Sequence, residues 1–486
     1  MIQIKGDIFK AVQSTAVFPD SKTFVDSVPN KNEDEILKDF HEKSTSPEFD
    51  LKKFVSENFT IAEPVANSAD KIDNTSMETY IESLWEILKR EPDKEIENDS
   101  RIPLPYPYIV PGGRFREIFY WDTYFTDVGL DTINRHDIIE SMLKNFIYLQ
   151  SKIGHIPNGN RWYFATRSQP PVLGLIIDLL YQKFGIEHIK QYIPALETEQ
   201  EIWSTGQKGV QMPDGLILSR YWDKGDYPRE EAYKEDTALA AGMTEEEAKK
   251  LYRNLRTGAE SGWDYSARWL KDPQRLETIQ ATDIIPIDLN ALVYGIEILL
   301  AKYHKELGNN EKAKYYQMIA EKRKEAVNKY CWNEELGYYF DYNLETKKQC
   351  EVYSMAAAVP LFVNMATEKQ ANKTEKVLKE KMLKPGGFIA TLNETNLQWD
   401  NPNGWAPSQW FAVKGLLNYD KKELATEAMK RWIKTMRDHF AAAKMLMEKY
   451  NVVNPEVKAG GGEYSVQEGF GWTNGIALKF LQLLGS

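Results

Sequence analysis

Cysteine is nearly absent from this chain: among 486 residues only Cys331 and Cys350 carry a thiol. They form no C-x-x-C pair and have no histidine cluster nearby, so neither a structural zinc site nor a disulfide framework is indicated, and a reducing compartment is permitted. The six histidines contain no H-x-x-x-H or H-E-x-x-H, which leaves a metallohydrolase without support. G-x-S-x-G, a phosphate-binding G-x-x-x-x-G-K-[ST] and a D-x-[DN]-x-[DN]-G calcium loop are also missing. Positive charge is in deficit, 61 Lys and Arg against 72 Asp and Glu for a net charge of -11, which argues against a nucleic-acid partner and fits a neutral small molecule. No stretch reaches the about 18 consecutive apolar residues of a membrane span. The longest, around Leu173 to Leu180, is broken by Gly174 and Asp178, so no membrane partner is expected. The opening residues Met1 to Asp7 lack a basic stretch followed by an apolar one. The expected location is the cytoplasm, or the periplasm or exterior if a leader has been removed.

What the chain does have is helical periodicity. From Met77 to Arg90 the residues Tyr80, Ile81, Leu84, Trp85, Ile87 and Leu88 recur at threes and fours. Comparable patterns cover His136 to Leu149, Val172 to Phe184, Asp288 to His304, Glu311 to Tyr330, Thr367 to Met382, Pro407 to Leu417, Lys422 to Phe440 and Gly475 to Leu484. Asp288, Asn310 and Thr367 are the expected caps at helix starts and Gly308 an expected stop. Several of these helices, Asp288 to His304 among them, are apolar on more than one face, which suits a layered helical toroid better than a simple bundle. Gly337 to Tyr342 and Gly387 to Thr391 read as small hairpins in loops. Asn67 to Asn74 reads as a surface loop and Met243 to Leu255 as a solvated helix. No repeat of about 34 or 40 residues is visible, which disfavours a solenoid.

The chemistry is concentrated in a few blocks. Pro111 to Tyr124 combines glycines, arginines, carboxylates and aromatics. Aromatic faces suit sugar C–H groups, and Arg and carboxylate side chains suit sugar hydroxyls. Arginine can bond two vicinal hydroxyls with its planar fork. Glycosidases commonly need two carboxyl groups flanking the scissile bond. In Glu260 to Trp269 the acid Asp264 lies between Trp263 and Tyr265, a desolvating setting that would raise its pKa. On its residues alone, Asp264 is better explained by a structural bond to Arg268. Glu448 is better explained as an exposed helix-end carboxylate beside Lys449 or Lys444. Gly460-Gly461-Gly462 is poor helix material and reads as a flap.

Pro111-Gly112-Gly113-Arg114-Phe115-Arg116-Glu117-Ile118-Phe119-Tyr120-Trp121-Asp122-Thr123-Tyr124 resembles the first signature of the trehalases of glycoside hydrolase family 37, P-G-G-R-F-x-E-x-x-x-W-D-x-Y, at every fixed position. Gln398-Trp399-Asp400-Asn401-Pro402-Asn403-Gly404-Trp405-Ala406-Pro407 resembles the second. Phe18 to Asp26 resembles the family's amino-terminal extension. The resemblance spans nearly the whole chain and implies an all-α fold, an (α/α)6 barrel with a few small β-hairpins in its loops. It implies one catalytic domain over residues 1–486, with residues 1–70 an extension packed on it.

The same resemblance implies an inverting α,α-trehalase acting on a disaccharide as a monomer, without cofactor or metal. Glu260-Ser261-Gly262-Trp263-Asp264 carries over the family's general acid to Asp264 and a substrate contact to Gly262. Glu448-Lys449-Tyr450 carries over the general base, and the glycine run that follows is a lid containing the sugar-binding Glu463. Substrate contacts carry over to Arg114, Trp121 and Asp122, to Asn158, to Arg167, Ser168 and Gln169, and to Arg229 and Glu231. Neighbouring arginines are expected to help keep Glu448 ionised. The competing readings are another (α/α)6 glycosidase acting on a different glucoside, and a catalytically inactive sugar-binding protein.

Overall fold

The structure is a computed structural model describing residues 6–61, 72–462 and 464–485. Six helices form an inner ring: Tyr120–Thr132, Leu173–Phe184, Ile287–Glu306, Val359–Phe362, Ala406–Asn418 and Gly471–Leu484. Each packs on the next, and the last packs on the first, which closes the circle. Glycines permit the closure. A Cβ on Gly129 would lie 2.3 Å from the Gly475 Cα, and one on Gly475 would lie 2.2 Å from the Phe125 carbonyl oxygen. Outer helices Met77–Leu88, His136–Ile153, Ile193–Ser204, Asn310–Tyr330, Glu368–Val377 and Lys422–Ala443 alternate with the inner ones along the chain. This is an (α/α)6 barrel.

Patterning explains which helix goes where. Every residue from Tyr120 to Leu130 is buried, as an inner helix walled on all sides requires, whereas His136–Ile153 buries one stripe through Ile138, Met142, Phe146 and Leu149. Tyr120–Thr132 has no amphipathic signal, and it and Ile193–Ser204 are absent from the periodicity reading for that reason. Thr367 caps its helix with a reciprocal Gln370 bond, as expected. Two cap expectations are corrected. Asn309, not Asn310, accepts from the Lys312 amide. Asp288 is inside its helix, which starts after Pro286, because its carboxylate is drawn to the Arg268 guanidinium at 2.9 and 3.0 Å. Glu245–Glu260 is solvated only at its start and buried from Leu255 to Glu260. Of the loop expected from Asn67 to Asn74, residues 67–71 lie outside the described residues.

The described strands are only two or three residues long. The pair that matters joins Asn403–Trp405 to Lys449–Asn451, with Trp405 opposite Lys449. The amino-terminal helices Gly6–Ser14, Ser21–Val25, Glu33–Lys43 and Leu51–Asn58 gather a smaller apolar core around Ile8, Phe24 and Ile36, shared with Phe119, Tyr163 and Phe164 of the barrel loops. Beside it runs a buried ion network. Lys22 meets Asp26 and, at 3.0 Å, Glu117; Arg161 meets Glu117 at 2.7 Å and Asp99 at 2.9 Å. Burying these charges unpaired would be costly, so the network fixes the register between Phe18–Asp26 and the Pro111–Tyr124 block.

Candidate active site

A pocket with about 910 Å³ of empty space, its mouth included, opens at one end of the barrel. That is the size of a small-ligand site. Its floor is tryptophan. Trp399 and Trp405 stack at 4.1 Å and 5°, Trp263 stacks on Trp399 at 4.9 Å, and Trp121 and Trp472 meet edge to face at 5.9 Å. Gly262 lets this cluster close. Its φ is +73°, and a Cβ there would lie 2.6 Å from Trp121 Cε2. The Gln169 side chain fixes the start of the Trp121 helix by accepting from the Trp121 amide at 3.0 Å.

One wall is cationic and pre-oriented. Arg167 donates to Asn158 Oδ1 at 2.9 Å and to Glu231 at 2.6 Å, with its guanidinium 5.0 Å from the Phe164 ring. Arg229 forks onto Asp236, the closest bond 2.6 Å, and covers Tyr265 at 5.2 Å. Burial opposes ionisation of Glu231, but Arg167, Arg229 and Arg256 outweigh it and hold its pKa at about 2. Arg114 sits 3.5 Å from Asp20 and 4.9 Å from the Tyr464 ring, and Gln467 accepts from its backbone amide at 2.9 Å.

Asp264 lines the pocket, half-buried. The alternative bond to Arg268 is not made: Arg268 forks onto Asp288 and Asp341 and stacks between Trp263 and Trp269 at 4.5 Å each. Glu448 is fully buried and is not among the residues that line the pocket, which sets aside its reading as an exposed helix-end residue. Its amide donates to the Gln467 carbonyl at 2.9 Å, and its carbonyl accepts from Trp472 Nε1 at 2.9 Å. Among the described residues no side chain hydrogen-bonds either carboxyl oxygen; the Gln467 backbone amide faces them, and Lys449 Nζ is 3.8 Å away. Burial pushes the Glu448 pKa up to about 7; Lys449, the Gln467 backbone amide and Arg114 pull it down, and Asp264 pushes it further up. Arg114 thus favours the ionised form, as expected of a neighbouring arginine, while desolvation is the larger effect. Asp122 is raised well above the usual carboxyl range, by burial and then by the negative charges of Asp264 and Glu448.

Of the residues anticipated from sequence, Arg114, Trp121, Asp122, Asn158 and Arg167 line the pocket together with Gln169, Arg229, Glu231, Gly262 and Asp264. Ser168 does not; it is buried, with its amide donating to Glu260 at 2.7 Å. Glu463 lies outside the described residues. Sequence reasoning did not select Asp20, Lys22, Glu235 or Tyr464, all of which line the pocket. The likeness of Phe18 to Asp26 to the family extension was the available signal for the first two. Among the described residues no cluster of His, Cys, Asp and Glu is arranged to hold a metal ion. No described helix is long and apolar enough to cross a membrane.

The model of the trehalase family matches residues 16–485. The periplasmic trehalase of Shigella flexneri serotype 5b (strain 8401) is 41% identical over 99% of this chain and 86% of its own length, and that of Escherichia coli (strain K12) shows the same figures. Among solved structures, the neutral trehalase of Saccharomyces cerevisiae superposes with a TM-score of 0.67 at 29% identity, over 78% of this chain and 74% of that one. The mannosylglycerate hydrolase of Thermus thermophilus in complex with glucose shares the fold, with a TM-score of 0.55 at 15% identity over 83% of this chain and 99% of that one.

Proposed function

The chain belongs to the trehalase family, and from that premise we propose that it hydrolyses α,α-trehalose to two glucose molecules with inversion. Asp264 gives its proton to the glycosidic oxygen, and Glu448 takes a proton from the water that attacks the anomeric carbon from the opposite face. The observation that carries this reading is the asymmetry of the two carboxyls. Asp264 is on the pocket wall beside the tryptophans, whereas Glu448 is fully buried, with no described side chain hydrogen-bonded to either carboxyl oxygen. An acceptor so placed is matched to a water rather than to a side-chain donor. Arg114, Trp121, Asp122, Asn158, Arg167, Gln169, Arg229 and Glu231 hold the hydroxyls; Ser168 acts at one remove, through its backbone, and Glu463 is the contact from the glycine loop. The tryptophan floor and the arginine wall exclude water, so each polar contact to the sugar is strengthened.

Residues 1–486 are read as one catalytic domain with residues 1–70 as an extension. The shared packing of Phe119, Tyr163 and Phe164 with Ile8 and Phe24 supports this. The protein acts as a monomer, without cofactor, nucleic acid or membrane, and light scattering of the active fraction checks its mass. A cytoplasmic location competes with the periplasmic one in the relatives' names, and cell fractionation decides between them. Glucose release from trehalose, compared with maltose, kojibiose and sucrose, tests the activity. Faster release from one of the other three would transfer the reading to a different glucosidase, and release from none would leave a sugar-binding protein.

A further inference from the structure

Two buried polar side chains next to the site belong to none of the roles above. Gln398 is 2% exposed and Lys449 1%. Gln398 Nε2 donates to the backbone carbonyl of Asp264, and its Oε1 accepts from Lys449 Nζ at 2.9 Å. The same ammonium donates to the Gly461 carbonyl at 3.2 Å and stands 3.8 Å from Glu448. Asn403, one strand position from Gly404, donates to the Gly460 carbonyl at 2.8 Å. A Cβ on Gly462 would lie 2.7 Å from Gln398 Oε1, so the loop backbone seats directly on this pair. One bonded path thus runs from the proton donor's backbone through Gln398 and Lys449 to the glycine loop, with the base beside its cation.

We propose that Gln398 and Lys449 are a positioning pair that joins Asp264, Glu448 and the Gly460–Gly462 loop into one unit, so that acid and base are set only while the loop is seated. The proposal rests on the assignment of Asp264 and Glu448 as acid and base. Lys449 has two duties that no apolar residue could combine. It holds the loop by a carbonyl, and it is the cation nearest the Glu448 carboxyl. The other groups facing Glu448 are Arg114, Asp122, Asp264 and Tyr464. Asp122 and Tyr464 are both pushed up toward their neutral forms by burial and neighbouring charge, so loss of the ammonium leaves Arg114 as the cation acting on Glu448 among these groups. Burial lowers the Lys449 pKa and Glu448 raises it, which makes the ammonium dependent on its place in the chain of bonds.

The test uses Gln398→Met, Lys449→Met and the double variant, since methionine fills similar length without strong donors or acceptors. Two readouts are taken on the full chain. Amide exchange in the peptide spanning 455–468 is expected to speed up at least about tenfold in each single variant, with exchange in Tyr120–Thr132 unchanged. This holds whether or not trehalose is the substrate, and unchanged loop exchange overturns the proposal. In trehalose hydrolysis each single variant is expected to lose kcat at least about tenfold, with the double variant within about twofold of the worse single. In Lys449→Met the acidic limb of the kcat/KM profile is expected to move up by about one pH unit. Losses that multiply, or an unmoved limb, overturn the pair. If Lys449→Met does not fold, Lys449→Gln keeps hydrogen-bonding capacity without the charge: the limb must still move while loop exchange stays near wild type. An inactive wild type with faster loop exchange in the variants would reject the activity and keep the tether.

Discussion

Replacing Glu448 by glutamine should abolish turnover and, near neutral pH, stabilise the fold. The magnitude follows from burial. The carboxyl is fully buried, no described side chain hydrogen-bonds it, and its pKa is raised from 4.5 to about 7. A pKa raised on folding means that the native state binds the proton more tightly than the unfolded chain does. Below the unfolded value both states are protonated and the group costs nothing; as pH rises through the folded value, holding the charge in the barrel costs stability. A shift of this size corresponds to roughly 3 kcal/mol at most, fully developed by about pH 8. Glutamine has nearly the same volume and no charge. With an unfolding entropy of about 1 kcal/mol/K for a chain of this length, Glu448→Gln should melt roughly 3 °C higher than wild type at about pH 8 and within about 1 °C at pH 5. The assay is calorimetry of both proteins at the two pH values. Turnover should fall about 10²- to 10⁴-fold. A variant less stable than wild type at pH 8, or shifted equally at both pH values, would refute the claim that desolvation dominates this site.

Asp264→Asn should also lose about 10²- to 10⁴-fold in kcat, measured by glucose release, with an unchanged melting temperature. Gly262→Ala should raise KM and destabilise by about 1–3 kcal/mol in urea unfolding, since the added carbon would lie 2.6 Å from Trp121 Cε2 at a φ of +73°; wild-type values would mean that the tryptophan floor yields. The acidic limb of kcat/KM should fall near pH 7, where free Glu448 gains its proton, and a limb near pH 4 would point to another base. Early proton NMR of the products should show α- and β-glucose in equal amounts: attack inverts one α centre while the departing glucose keeps its own anomeric bond. α-Glucose alone would make Glu448 a nucleophile.

The helical plan was legible where a helix has one dry and one wet face. His136–Ile153, Asn310–Tyr330 and Lys422–Ala443 lie within a few residues of their expected bounds. Tyr120–Thr132, buried all round, has no such contrast, and it was noticed for its chemistry rather than as a helix. Asp288 misled as a cap because its partner, Arg268, is distant in sequence and cannot be inferred from local propensity. In the site, residues inside the aromatic blocks were legible through their company. Asp20 and Lys22 reach the same pocket from the far end of the chain, held there by Glu117 and Arg114, and only the likeness to the family extension pointed that way.

The sign of the electrostatics was the least legible feature. Arginines are abundant in the motifs, and counting them suggests an ionised base. In the structure those cations are committed elsewhere: Arg167 to Glu231, Arg229 to Asp236, Arg268 to Asp288 and Asp341. Each satisfied guanidinium is a rigid donor array for hydroxyls, already neutralised by its partner, and so contributes little field at Glu448. The base keeps Lys449 at 3.8 Å, the Gln467 backbone amide and Arg114 as its favourable partners, and burial outweighs them. Its proton affinity is then set by dryness, a property of packing that no motif spells out. A base near neutrality can both accept a proton from water and release it again, and a carboxylate locked down at a pKa of about 2, like Glu231, would be too weak to do the first. The arrangement separates the two uses of acidic residues at one site: those paired with arginine hold shape, and the one raised by burial is available for proton transfer.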